Sequence, residues 1–114
     1  MSMDGVEILQ LKINEDDRGY LYEVIHATDK FMPKFGQTYI VGDRVRGIIR
    51  GFHKHKTLWD YFHISHGSAK FVLVDDRPKS ATYKKVEAFI LSDKKPQLLV
   101  VPPGLRTRRR RRFR

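Results

Sequence analysis

Short stretches rich in Val, Ile, Phe and Tyr recur along the chain, and several of them alternate hydrophobic with polar positions. A period of two is typical of β-strands, because successive side chains of a strand point to opposite faces. Turn-forming Gly, Pro, Asp and Ser separate the stretches, and no stretch keeps a helical period. The pattern predicts strands at residues 6–13, 19–25, 37–41, 45–52, 59–65, 69–74, 82–91 and 97–101.

Short strands at even spacing predict an all-β fold of the sandwich or barrel type. A chain of 114 residues is large enough for one domain with a core of its own. We therefore predict a single domain over residues 1–105, followed by an arginine-rich tail over residues 106–114.

The net charge of +10 is unevenly distributed. The last nine residues, RTRRRRRFR, hold seven of the 23 Lys and Arg and none of the 13 Asp and Glu, which leaves residues 1–105 with 16 basic and 13 acidic residues, a net of +3. Because like charges repel and the tail has nothing with which to build a core, we expect it to be disordered. It is interpreted as a nucleic-acid arm, a cut or out-of-frame end of a longer protein, or a solvated tail.

The composition also bears on where in the cell the protein is expected. The chain has no cysteine, which excludes a disulfide scaffold and thiolate chemistry. No apolar run approaches the roughly 20 residues that a membrane span requires, and the N-terminal MSMDGVEIL lacks the features of a secretory signal. We expect a cytoplasmic protein without membrane contact.

The densest group of chemically capable residues lies at His53, His55 and Asp60. Residues two apart on a strand share a face, so the two imidazoles should point the same way. Such a pair with a nearby carboxylate suits a divalent metal or a general base, since imidazole titrates near neutral pH. The alternative is a pair of solvated histidines between Lys54 and Lys56.

The spacing of these residues resembles a known motif. Gly47, His53, His55, Asp60 and Gly67 are similar to the first cupin motif, with Asp in place of the usual Glu. More specifically, R-G-F-H at residues 50–53 resembles the R-G-L-H segment of the dTDP-4-dehydrorhamnose 3,5-epimerase family. Further similar segments are D-R-G at 17–19, V-D-D-R-P-K-S-A-T at 74–82, Leu91-Ser92 and V-P-P-G at 101–104.

The resemblance implies a cupin-type jelly roll, shortened at its C-terminus, that acts on a dTDP-4-keto-6-deoxy sugar. Such an enzyme removes a proton beside the ketone and returns it on the other face, without a metal or other cofactor. It implies His53 as the catalytic base, with His55 as a second proton-transfer or orienting group. It further implies a homodimer, with Arg18 often contributed across the interface. The implied substrate-binding residues are Arg18, Glu23, Gln37, Arg50, Lys56 and Asp60.

The sequence also departs from the family pattern. His55 stands where the epimerases have Gln, and the H-x-H-K stretch resembles sugar-nucleotide 3,4-ketoisomerases instead. Thr107 occupies a position at which the family has histidine, and the later tyrosine acid, the histidine-orienting aspartate and the second cupin metal ligand have no counterpart here. A 3,4-ketoisomerase, or a non-catalytic cupin that binds a sugar nucleotide or carries nucleic acid on its tail, is therefore the alternative.

Overall fold

A computed structural model of the protein describes residues 3–30 and 34–112. Every regular element in this part of the chain is a strand, which confirms the all-β prediction. In chain order the strands are β1 (Glu7–Gln10), β2 (Ile13–Asp16), β3 (Gly19–Tyr22), β4 (Ile49–Lys54), β5 (Asp60–Phe62), β6 (Ser68–Asp75), β7 (Val86–Ser92), β8 (Gln97–Val101) and β9 (Leu105–Arg111).

The strands form three antiparallel sheets. The largest has the order β4-β9-β6-β7, the second has the order β1-β8-β5, and β2 and β3 form a hairpin of their own. Within each of the two larger sheets, strands far apart in sequence lie side by side, such as β4 with β9 and β1 with β8.

The hydrophobic core lies on one face of the largest sheet. Strand β6 alternates strictly, with Ala69, Phe71 and Leu73 buried and Lys70 exposed between them. We call the face that carries these buried residues the inner face, and the opposite one the outer face. Strand β8, which lies between β1 and β5, is buried over residues 98–101. Each large aliphatic or aromatic side chain removed from water in this way contributes about 1.5–3 kcal/mol.

The arginine-rich segment departs from the prediction. Residues 106–111 were expected to be disordered, and this expectation is wrong, because they form β9 between β4 and β6. Leu105 and Thr107 are buried on the inner face, and the long arginine side chains can pack their apolar stems while keeping their charges in water. The last two residues of the predicted tail, 113 and 114, lie outside the described part of the chain.

Other predicted boundaries shift as well. The stretch 6–13 is divided between β1 and β2, and the stretch 82–91 begins as a strand only at Val86. The strand predicted at 37–41 is wrong. Its residues are exposed coil, with Ile40 96% accessible, because no neighbouring strand among the described residues pairs with them.

The turn between β6 and β7 is held by a buried carboxylate. The Asp75 side chain is 0% exposed and accepts hydrogen bonds from the Arg77 guanidinium at 2.9 Å, the Ser80 hydroxyl at 2.6 Å and the Thr82 hydroxyl. The Arg77 hydrogen bond is the main reason why the pKa of Asp75 lies well below its usual range, with Ser80 and Thr82 adding to it against the effect of burial.

We predict that Asp75→Asn lowers the free energy of unfolding by about 3 kcal/mol at pH 7, because it leaves Arg77 without its charge partner inside the fold. Since the folded-state pKa is lowered, the native protein should lose this contribution as the pH falls below about 4 towards the folded value. Urea unfolding at pH 7 and in acid measures both effects. The exposed Asp17→Asn variant is the control, and equal stability of the two variants at pH 7 would contradict the role of the turn.

Candidate active site

An irregular register in β4 decides which side chains share the inner face. Arg50 lies opposite Arg109, whereas His53 lies opposite Thr107, so three steps along β4 correspond to two along β9. The extra residue is a β-bulge. In a regular strand, residues three apart point to opposite faces, and the bulge therefore brings Arg50 and His53 onto the same one.

Glycine is required at this bulge. Gly51 has φ of +129°, a conformation that residues with a side chain rarely adopt. A Cβ atom there would lie 2.6 Å from the Thr107 carbonyl oxygen and 2.8 Å from the Arg108 Cα. Both are backbone atoms of β9, so neither can move aside without breaking the ladder.

His53 is exposed to solvent on the inner face, opposite the buried Thr107. Thr107 is where the family resemblance places a histidine, so the neighbour of His53 on β9 is a small hydroxyl side chain instead. An exposed imidazole that lies on the core-bearing face, at the sheet edge, is accessible to a ligand.

His55 follows the end of β4 and pairs with a carboxylate. Its Nε2 lies 3.3 Å from the Asp60 Oδ2 at the start of β5, and the Gly104 amide donates to the His55 carbonyl at 2.9 Å. Burial raises the pKa of Asp60, while the charges of His55 and His53 act in the opposite direction. The structure thus pairs His55 with Asp60, and His53 lies close enough for its charge to act on the same carboxylate.

A second group of charges lies next to Arg50. The Arg50 Nε donates to the Asp43 carboxylate at 2.6 Å, and the Arg109 Nε lies 4.0 Å from its other oxygen. Arg111 donates to the Asp43 backbone carbonyl at 2.6 Å. Two guanidinium groups therefore lie against a carboxylate that is only 9% exposed, and a third binds the backbone of the same residue. Three arginines and one aspartate leave two positive charges in excess on the same face as His53.

The remaining predicted site residues are elsewhere. Arg18 forms an ion pair with Asp16 at the tip of the β2–β3 hairpin, and the Glu23 carboxylate bonds His26 at 2.8 Å. Gln37 lies in exposed coil, and Lys56 is exposed beyond β4. Within residues 3–30 and 34–112, no hydrogen bond or ion pair joins these four residues to His53, His55 or Asp60.

Neither a metal-binding cluster nor a membrane-spanning helix is present in residues 3–30 and 34–112. These residues contain no group of three or more His, Cys, Asp or Glu side chains placed to hold a metal ion. They also contain no helix with the length and apolar character to cross a membrane.

Sequence reasoning missed Asp43, Arg109 and Arg111. The arginines were assigned to a disordered tail, although Leu105-Arg106-Thr107-Arg108 alternates hydrophobic or small with charged positions as strands do. That alternation is the local pattern that could have predicted β9. Arg50 is only seven residues from Asp43 in the sequence, but the other two partners, Arg109 and Arg111, are more than sixty residues away, so no local motif marks the cluster.

The all-β architecture of antiparallel sheets places the protein in the class of cupin-type jelly rolls, which confirms the predicted fold class. More specifically, the chain belongs to the dTDP-4-dehydrorhamnose 3,5-epimerase family, whose model matches residues 1–107. The predicted family is thereby confirmed as well.

Individual relatives agree with this assignment. The chain is 30% identical over 103 residues to the spore coat polysaccharide biosynthesis protein SpsL of Bacillus subtilis, covering 90% of this chain and 68% of SpsL. The crystal structure of dTDP-4-dehydrorhamnose 3,5-epimerase from Sulfolobus tokodaii superposes with a TM-score of 0.83 at 28% identity, covering 95% of this chain and 64% of that one.

A third protein shares the fold at lower identity. ChmJ, a 3'-monoepimerase from Streptomyces bikiniensis crystallised with dTDP-quinovose, superposes with a TM-score of 0.80 at 22% identity, covering 99% of this chain and 61% of ChmJ. The chain thus spans between 61% and 68% of the length of these three relatives.

Proposed function

We propose that this chain is a sugar-nucleotide isomerase that epimerises a dTDP-4-keto-6-deoxy sugar by abstracting a proton beside the ketone. The observation that carries the proposal is the bulge at Gly51, which puts the His53 imidazole and the Arg50 guanidinium on one face. A base for the sugar and a cation for the diphosphate are then neighbours. Family membership supports the reaction type, and ChmJ, which shares the fold, was crystallised with a dTDP-sugar.

The chemistry needs a base, an acid and a means of holding the enolate. The neutral imidazole of His53 would take the proton, because the adjacent ketone acidifies that carbon without help from a metal. His55, when protonated, would have Asp60 as its counterion at 3.3 Å. It could therefore donate to the enolate oxygen or return a proton to the carbon.

The diphosphate would bind at the arginine cluster around Asp43. Arg50 and Arg109 both lie against one carboxylate, so a phosphate oxygen could replace part of their ion pairing. A guanidinium group suits this role because its planar set of donors matches phosphate geometry. Lys56, Glu23 and Gln37 are exposed and stay predicted contacts of the sugar nucleotide.

A second candidate reaction is 3,4-ketoisomerisation of the same substrate class. The observation that favours it is the His55–Asp60 pair beside His53, which provides two imidazoles for proton transfer. The proton would leave C3 to give an enediol, C4 would be protonated, and the C3 hydroxyl would lose its proton to become the new ketone. The two reactions begin alike and differ in their products.

We predict that His53→Ala slows solvent deuterium incorporation into a dTDP-4-keto-6-deoxy sugar by about 10²–10⁴-fold, the usual contribution of a general base. Proton NMR in deuterium oxide follows the exchange at C3 and C5, and the product spectrum separates an epimer from a 3-keto sugar. His66→Ala, which changes a largely exposed histidine, should leave the rate unchanged. Equal exchange by native protein and His53→Ala would refute the assignment of the base.

We predict that dTDP raises the melting temperature of the native chain by several degrees, since a ligand that binds only the folded state stabilises it. Arg50→Ala should abolish most of this shift because it removes a diphosphate contact. Arg44→Ala removes the same charge from an exposed position nearby and should retain the shift. Differential scanning fluorimetry measures all three. A full shift in Arg50→Ala would exclude Arg50 from the phosphate site, and binding without exchange would favour a non-catalytic cupin.

The β2–β3 hairpin supports a homodimer. Its two strands pair only with each other in the described part of the chain, and Tyr20 and Leu21 are 71% and 60% exposed. A two-stranded hairpin is marginally stable alone. The Tyr22 hydroxyl does bond the His63 ring at 2.9 Å, but most of the hairpin's apolar surface is uncovered. A second copy would cover it, and Arg18 at its tip would then reach the partner.

We predict that the double variant Tyr20→Ser, Leu21→Ser shifts the protein towards the monomer, because it removes the apolar surface through which the hairpin would pack. Sedimentation velocity across a concentration series gives the populations. The control is Val86→Ser, which removes an exposed apolar side chain from β7. Dissociation by Val86→Ser instead would place the interface on the outer face of the largest sheet, and a native monomer would exclude the dimer.

A further inference from the structure

The outer face of the largest sheet carries a row of arginines that the proposed reaction does not use. In β9 the side chains alternate, so Arg106, Arg108 and Arg110 point outward while Thr107 and Arg109 point inward. Consecutive members of this row are two residues apart, or roughly 6.8 Å along the strand. All three are exposed.

The neighbouring strands add lysines to the same face. Lys54 on β4 lies opposite Arg106, and Lys70 on β6 lies opposite Arg110. We call the five side chains Lys54, Lys70, Arg106, Arg108 and Arg110 the basic face. Directly opposed like charges destabilise a sheet, so the Lys70–Arg110 pair has a cost that a bound anion would relieve.

Only one end of the basic face is neutralised. Asp76 accepts from Lys54 at 2.7 Å and from Arg106 at 3.3 Å, and the pKa of Asp76 is lowered chiefly by the Lys54 hydrogen bond. Among the residues that the structure describes, Lys70, Arg108 and Arg110 form no ion pair with an acidic side chain. Three uncompensated cations therefore remain next to one another.

An aromatic ring and aliphatic side chains accompany these cations. The Arg108 guanidinium lies 5.4 Å from the centroid of the Phe52 ring, which is itself 46% exposed. Val72 lies opposite Arg108 in the ladder, and the exposed Ile49 lies opposite Arg110. A sheet face with arginines and an accessible aromatic ring can hold phosphates and stack a base at the same time.

From this arrangement we infer that the basic face is a binding site for single-stranded nucleic acid, separate from the sugar-nucleotide site on the inner face. Phosphates would lie along Arg108, Arg110 and Lys70, and a base would stack on Phe52. The charge pattern argues against a second copy as the occupant, because a two-fold interface on this face would place arginines against arginines.

The test measures binding of a fluorescein-labelled oligo-U of about twelve nucleotides, a length that single-strand sites cover, by fluorescence anisotropy across a salt series. The double variant Arg108→Gln, Arg110→Gln should weaken binding by about tenfold or more at low salt. It should also reduce the slope of log affinity against log salt by about 1–2, since each phosphate contact on a single strand contributes about 0.7.

The matched control is Lys12→Gln, Lys34→Gln, which removes two charges from exposed positions outside the largest sheet and should change affinity less than about twofold. Phe52→Leu should weaken binding roughly fivefold or more through lost stacking, with little change in the salt slope. Thermal melting verifies that each variant folds. If a variant does not fold, the single change Arg110→Gln takes its place, with about half the effect on the slope.

Three outcomes would overturn the inference: no binding by the native chain, equal loss in the two charge variants, or equally tight binding of a duplex or of poly-glutamate. Comparing the affinities for oligo-U and for an oligo-dT of the same length shows whether the site prefers RNA or DNA. The measurement is repeated with His53→Ala and with excess dTDP. We expect neither His53→Ala nor excess dTDP to change oligonucleotide binding, because the basic face is separate from the proposed catalytic site. Failure of one proposal can then be told apart from failure of the other.

Discussion

The extra residue at Gly51 is the constraint on which the candidate site depends. At this residue β4 passes so close to the β9 backbone that a Cβ atom would meet the Thr107 carbonyl oxygen. The resulting register shift turns a sequence separation of three into a shared face for Arg50 and His53. A base and a phosphate-binding cation are thus positioned by backbone geometry, and their own side-chain interactions need only refine it.

The arginines of β9 illustrate how one strand can serve two surfaces. Its inward arginines, Arg109 and Arg111, contact Asp43. The aspartate partly compensates their positive charge on that side of the sheet. Its outward arginines face solvent, where the apolar stem can rest on the sheet and the guanidinium stays hydrated. The same residue type therefore has a structural role on one face and an unsatisfied positive potential on the other.

The sequence was sufficient for the fold class and the family, and it singled out His55 and Asp60, which the structure pairs. These results rest on local patterns, namely strand alternation and the spacing of a short motif. It was insufficient where long-range pairing decides the outcome. Residues 37–41 have good β propensity but pair with no strand in the described part of the chain. The arginine-rich segment has a composition less typical of strands and pairs with both β4 and β6. Asp43 contacts Arg50 on β4, but Arg109 and Arg111 reach it only through the pairing of β9.

The register of β9 has a consequence for how the chain tolerates change. From Arg108 to Arg112 every position is arginine, so a slip by one residue would leave the composition of both faces there almost unaltered. Only Leu105 and Thr107, which fill inward positions, and the Asp43 contacts distinguish the correct pairing from its neighbours. Those few residues therefore hold the alignment of the whole strand, and a polar replacement of Leu105 would free the homopolymeric part to pair in more than one way.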